Sequence, residues 1–400
     1  MPTPRPLSLT PGLLAVLGVL AAVGPIAVDM YLASFTDIAD ELGADAASVQ
    51  LTLTAFLIGM SAGQLLLGPL SDRWGRRPVL LAALVVFAAS GTAMAFAPTI
   101  GVFIALRLVQ GLSGAAGVVL ARAIAVDLST GATAVRALSL IATVVGVGPL
   151  IAPPIGGFVS SAWGWRAVLG VIAVASVVML LLAWLRVPES LPPEKRHTGG
   201  LGATVRRFGT LLRDPGLALY TLAFGLGFAA MMSYISASPF VGQAVLGMSP
   251  IGYSFGFAAG AAALILANLL NARVAERVGP RRMLLVGVTL LVLAASALIV
   301  LSTTGTLTPA AFIACAFVTT GGTGLTMSNA SALALARTTP SSRGAGSALL
   351  GASQFLLGGL ASPVVGLWGE HTAVPMASVM LLTAVAAASC AVAARSRTCA

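Results

Sequence analysis

Gly68-Pro69-Leu70-Ser71-Asp72-Arg73-Trp74-Gly75-Arg76-Arg77 places four charged side chains within six positions of a chain in which only 8% of the 400 residues are charged. On one side of this cluster runs the apolar stretch Val49–Leu70, and on the other Pro78–Ala97. About 20 apolar residues are what an α-helix needs to cross the hydrocarbon core of a bilayer. The segment therefore reads as a short charged turn between two membrane-crossing helices. Working outward, ten further stretches of this kind lie near Gly12–Ala33, Ile100–Ala121, Ala137–Val159, Ala167–Leu185, Gly216–Ala237, Pro250–Asn271, Met283–Ser302, Ala310–Leu335, Gly346–Trp368 and Val374–Ala394. The expected fold is an all-α polytopic membrane protein with twelve transmembrane helices, the first retained as a span and not cleaved as a signal peptide.

Composition agrees with that reading. Hydrophobic residues make up 58% of the chain and the mean hydropathy is +1.00, which excludes both a water-soluble domain and a disordered one. The formal charge of +10 would suggest nucleic acid in a soluble protein, but here its placement carries the meaning. With the N-terminus inside, 20 of the 22 Lys and Arg fall in inner loops, while Arg166 lies outside and Arg107 within a span. Five acids, Asp37, Asp40, Glu41, Asp45 and Glu370, sit on the outer side. Positive loops stay in the cytoplasm, so both termini are expected there, in a bacterial inner membrane, with lipid and not nucleic acid as partner. Cys315, Cys390 and Cys399 have no metal-ligand spacing, so neither a metal nor a disulfide is expected. His197 and His371 fall in loops and read as solvated.

The longest inner segment, Arg186–Pro215, divides the chain into an N-terminal six-helix half (1–186), a central loop (187–215) and a C-terminal six-helix half (216–400). Within the loop, Val205–Leu212 with Arg206 and Arg207 has the pattern of a helix lying on anionic headgroups. A shift of 204 residues carries Asp72-Arg73-Trp74-Gly75 onto Glu276-Arg277-Val278-Gly279, and Gly12 onto Gly216. Two repeated six-span halves around a central cavity form the architecture of a rocking secondary transporter, one chain supplying both halves of a monomer.

The 68–77 segment resembles the major facilitator signature G-x-L-x-D-R-x-G-R-[RK]. Leu106-Arg107-Leu108-Val109-Gln110-Gly111 resembles the R-x-x-Q-G motif of the same superfamily. Gly146-Val147-Gly148-Pro149 with Pro153, Gly156 and Gly157 is similar to the antiporter motif of its drug exporters. Asp29-Met30-Tyr31-Leu32, with Ala33-Ser34-Phe35 after it, resembles the bicyclomycin-resistance (Bcr/CflA) branch, as does Gly346-Ser347-Ala348 with Gln354; the branch's proline after Leu32 is replaced by Ala33. The resemblance implies a proton-coupled exporter of small, largely lipophilic compounds such as antibiotics. It needs no cofactor beyond the proton-motive force. A symporter or facilitator for a small metabolite is the alternative on the same fold.

Only Asp29 and Arg107 are strongly ionisable within spans, and a charge at that depth needs a partner or a wet cavity. Asp29 is the expected proton carrier and Arg107 the residue that biases it, since a carboxyl gains or loses a proton as a guanidinium withdraws or approaches. The alternatives are a headgroup-level carboxylate for Asp29 and a clamp on backbone carbonyls for Arg107. One acid and one base in the cavity would leave no strong charge preference. Gly68, Asp72, Arg73, Gly75, Arg76 and Arg77 are expected to latch the cytoplasmic ends of the two halves together. Gly148, Pro149, Pro153, Gly156 and Gly157 are expected to break or kink the fifth span as a hinge. Tyr31, Gln110, Tyr234, Asn329 and Gln354 are candidates for the substrate cavity, and Gly252, Gly256 and Gly260 for packing within the chain. Catalysis is not expected: no P-loop is present, and Gly59-Met60-Ser61-Ala62-Gly63 lies mid-span with no intramembrane histidine to serve as a base.

Overall fold

The computed structural model describes residues 9–196, 201–339, 342–366 and 372–396; the readings of His197, Trp368, Glu370, His371 and Cys399 lie outside them. Among the described residues, twelve helices are long and apolar enough to cross a membrane, and no strand is present. Spans 2 to 6 are Ala46–Trp74, Arg76–Met94, Ile100–Asp127, Gly131–Trp163 and Trp165–Arg186. Span 7 is Pro215–Pro239 continued by Phe240–Val245, and spans 8 to 12 are Pro250–Val278, Pro280–Thr303, Pro309–Leu335, Arg343–Gly366 and Val374–Ser396. Between spans 6 and 7, Leu201–Leu212 forms a separate helix, longer than the sequence suggests.

Span 1 is not one helix. Pro11–Asp29 ends at Met30 and Tyr31, a 3-10 turn covers Leu32–Ser34, and a second helix runs from Phe35 to Leu42. The break is present although Ala33 stands where the branch's proline would be. Span 5 packs against it: a Cβ on Gly156 would lie 1.8 Å from the carbonyl oxygen of Met30, so only a glycine admits this approach.

Helix starts follow from local chemistry. Thr10, Asp45, Asp214, Ser249 and Thr308 each accept an amide of the following first turn, and proline opens spans 1, 7, 8, 9 and 10. The repeat is visible here in register. A shift of 204 residues carries the caps Thr10 and Asp45 onto Asp214 and Ser249, and span 2 end to end onto span 8. Gly75 and Gly279 correspond too, with φ of 102° and 90°, where side chains are strained; each permits the reversal into the next span.

Glycines set the packing around the site. A Cβ on Gly59 would lie 2.3 Å from the Leu108 carbonyl oxygen, on Gly63 2.3 Å from that of Leu112, and on Gly111 2.0 Å from that of Phe56. Spans 2 and 4 therefore touch backbone to backbone, which also accounts for the mid-span G-x-S-x-G as packing. Gly256 and Gly260 pack on Ile313 and Thr320 of span 10, within the chain. The halves meet along spans 2 and 11, where the Ser61 hydroxyl donates to the Ala352 carbonyl at 2.9 Å, and along spans 5 and 8, where Gly157 abuts Ser254. The end of the bundle holding the 72–77 loop is its basic end. The end holding Asp37, Asp40, Glu41 and Asp45 is its acidic end.

Candidate functional site

A cavity of about 260 Å³ lies between the halves, bounded by spans 1, 2 and 5 on one side and 7, 8, 10 and 11 on the other. Its largely apolar wall includes Phe56, Phe228, Phe257 and Phe355 with Met60, Met231, Met232 and Met327. Phenylalanines supply flat apolar area and methionines a soft, adaptable one. Asp29, at the last turn before the span 1 break, is the one charged residue in that wall among the described residues. Tyr234, Thr320 and Gln354 add polar groups. Tyr234 is held by ring contacts at 5.8 Å to Phe312 and 6.4 Å to Phe257.

Arg107 is fully buried and stands behind this wall, not in it. Its guanidinium lies 3.6 Å over the Tyr31 ring. One nitrogen, Nη1, donates to Gln110 Oε1 at 2.8 Å and to the Ala27 carbonyl at 3.4 Å. Nε and Nη2 of Arg107 and Nε2 of Gln110 have no hydrogen-bond partner among the described residues. Among the described residues no ion pair joins Arg107 to Asp29. The sequence reading of a cavity with one acid and one base is thus corrected to one acid. Arg107 reaches the last turn of span 1 through Ala27 and Tyr31, not through the carboxyl.

Three other expected cavity residues lie elsewhere. Tyr31 is enclosed under Arg107 with its hydroxyl 2.9 Å from Thr52 Oγ1, because the chain turns inward after Asp29. Gln110, one turn further along span 4, accepts from Arg107 and lies beside Gly91 of span 3. Asn329 bridges spans 10 and 8, donating to Asn271 Oδ1 at 2.8 Å and to the Leu325 carbonyl at 2.7 Å. Tyr234, Gln354 and Pro149 do line the cavity. Span 5 is a continuous helix through Pro149, Pro153 and Pro154, so of the expected break or kink the break is absent; Gly148 sits against Ile26, and Gly156 and Gly157 are points of close approach to spans 1 and 8.

At the basic end the 68–77 loop pairs within its own half. Arg76 binds Asp72 at 2.6 Å and Asp127, at the end of span 4, at 3.0 Å. The amides of Arg76 and Arg77 donate to Glu189 just beyond span 6, and a Cβ on Gly75 would strike that carboxylate. Arg77 donates to the Trp184 carbonyl, and 204 residues later Arg281 donates to that of Ala391, each reaching the last span of its half. The described contacts of this loop therefore tie spans 2, 3, 4 and 6 together, in place of the expected grip on the other half. Gly68 faces Val119 of span 4, and Arg73 lies in the last turn of span 2. Sequence reasoning missed Glu189 and Asp127, which lie far away in the chain, and the methionine and phenylalanine wall.

Two repeated six-helix halves enclosing one cavity between them define a secondary transporter of a small solute, not an enzyme. Residues 17–363 match the Major Facilitator Superfamily, and the chain belongs to that family and to its drug-resistance-associated branch. It is 36% identical over 92% of both chains to the uncharacterized MFS-type transporter YdgK of Bacillus subtilis (strain 168). It is 32% identical over 91% of both chains to a bicyclomycin resistance protein homolog of Haemophilus influenzae. The crystal structure of a D-xylose-proton symporter superposes with a TM-score of 0.73 at 16% identity, covering 93% of this chain and 96% of that one, a likeness of fold. The protein is a multi-pass bacterial membrane protein.

Proposed function

We propose that the protein exports a small, largely lipophilic compound in exchange for protons, with Asp29 as the proton carrier. The observation that carries this reading is the cavity wall: apolar, soft and aromatic, with one carboxyl, Asp29, among the described residues. Such a wall accepts an apolar or weakly cationic molecule. A hydroxyl-rich one would leave polar groups unpaired, at about 1–3 kcal/mol each. Within the family the proposed place is the bicyclomycin-resistance branch, supported by Asp29-Met30-Tyr31-Leu32 and by the name of the Haemophilus influenzae relative. The chain works as a monomer in the inner membrane with both termini in the cytoplasm, the basic end inward. Span 5, with Gly148, Pro149 and Pro153 on its length, serves as the hinge, and the 68–77 loop regulates the cytoplasmic gate.

Each entering proton supplies about 2.3 kcal/mol per 100 mV and about 1.4 kcal/mol per pH unit, enough to drive a neutral cargo outward. The Arg107 stack holds the last turn of span 1, so movement of that turn changes what surrounds the carboxyl. The second reading is symport or facilitated passage of a small metabolite; the fold it needs is shared with the D-xylose-proton symporter and carries no direction of its own.

Inverted vesicles holding an acid interior and challenged with bicyclomycin, chloramphenicol, sulfonamides and small metabolites separate the two. Proton release on addition of a compound supports antiport. Compound movement that needs no gradient and releases no proton supports the second reading.

A further inference from the structure

At the acidic end, two interruptions of helical structure face each other. Span 1 loses its i→i+4 ladder between Met30 and Phe35, and span 7 closes with a π turn over Phe240–Val245. Carbonyls at such a break lack intrahelical donors, and a π turn re-aims the side chains it carries. Gln243, within that turn, reaches across to the other half. Its Nε2 donates to the Ala33 carbonyl at 3.2 Å and its Oε1 accepts from Thr36 Oγ1 at 3.5 Å. A primary amide is a neutral side chain that donates and accepts together, which these two partners require. Phe35 and Phe240 cover the contact, ring centroids 6.0 Å apart, and Gly242 lets the turn sit against Tyr253 of span 8.

We propose that Gln243 is the latch that holds the acidic end closed, and that it does so by gripping the span 1 junction four residues beyond Asp29. The carbonyl it holds belongs to the irregular stretch that directly follows the helical turn carrying the cavity carboxyl. Rearrangement of that turn displaces Ala33 and releases the amide, so the gate and the carboxyl move together. This inference rests on the proposed proton-exchange transport and adds the residue that senses the state of span 1.

The test uses the full-length chain with C315S, C390S and C399S, reconstituted in nanodiscs. Spin labels at D40C and A310C, both exposed at the acidic end, report the separation of the halves by pulsed electron resonance. The parent protein is expected to show mainly the short separation. Gln243→Ala, losing two hydrogen bonds, raises the ratio of long to short separations roughly tenfold. Gln243→Glu, which no longer donates, shifts it the same way. Thr36→Val, which removes only the longer bond, gives a smaller shift in the same direction and keeps the test decisive if the Gln243 variants fail to fold. Unchanged separations in Gln243→Ala, or in Thr36→Val where the former cannot be made, overturn the latch. If separations respond while no compound releases protons from the parent protein, the latch stands and the antiport reading falls.

Discussion

The guanidinium of Arg107 lies 3.6 Å over the ring of Tyr31, and the cavity carboxyl, Asp29, sits two residues before that ring. A fully buried cation is thereby held by a π face, an amide and a carbonyl in place of a counter-ion. A desolvated cation–π contact contributes about 2 kcal/mol, and a lysine offers neither the flat plate nor the fork of donors. Arg107→Lys is expected to lower transport in vesicles at least about tenfold per folded protein. Tyr31→Leu should match it, whereas Tyr31→Phe, which keeps the ring and loses the bond to Thr52, should stay within about threefold. Full transport by Tyr31→Leu would show that the stack is not needed.

Span 5 carries glycines of opposite consequence. A Cβ on Gly156 would lie 1.8 Å from the Met30 carbonyl oxygen, whereas one on Gly146 would meet nothing within 4 Å. Gly156→Ala is expected to destabilise the detergent-solubilised protein by about 1–3 kcal/mol or more, and Gly146→Ala to be neutral or slightly stabilising through helix propensity. Thermal denaturation of the two variants side by side checks this; equal melting temperatures would contradict the close contact of span 5 with the break.

Cargo recognition should follow the cavity wall and not the list of polar residues within spans. Gln354→Leu and Met60→Ala are expected to change the relative export rates of different compounds severalfold. Asn329→Ala, which removes a bridge from span 10 to span 8, should lower stability by about 1–3 kcal/mol and leave those ratios as they are. A changed compound spectrum in Asn329→Ala would place that residue on the cargo path.

Asp214 caps span 7 and pairs with Arg337 at the end of span 10. Partial burial pushes its carboxyl up, but the Arg337 hydrogen bond and the amides of Leu217 and Gly216 outweigh this and hold it below the usual carboxylate range. A carboxyl depressed by folding stabilises the native state above its unfolded value, about 3.9, and loses that contribution as pH falls through its folded value. The stability difference between the parent protein and Asp214→Asn should therefore shrink as pH is lowered below about 4. At neutral pH it should be no more than about 1 kcal/mol, because the pair is partly exposed and screened. A difference that grows on acidification would contradict the pairing.

The twelve helices, the charged turns and the repeat were legible because hydropathy and charge report burial in lipid directly. Span 2 and span 8 even share their register over a shift of 204 residues. The cavity was less legible for the same physical reason. A membrane helix is apolar all round, so Met60 and Met232 facing the cavity look like residues facing lipid. Asp29 stood out as a lone intramembrane acid and does line the cavity, but Arg107, equally conspicuous, stands behind the wall against the Tyr31 ring. Glu189 escaped notice because its partners are the amides of Arg76 and Arg77, more than a hundred residues away.

If Asp29 exchanges its proton for cargo, Asp29→Asn uncouples the two. Inverted vesicles of the variant are to be compared with the parent protein for two activities: proton release on addition of a transported compound, and exchange of labelled for unlabelled compound without a gradient. In Asp29→Asn, proton release and uphill movement are expected to be lost while exchange persists. Proton release at the parental rate in Asp29→Asn would contradict this and leave Asp29 a structural charge.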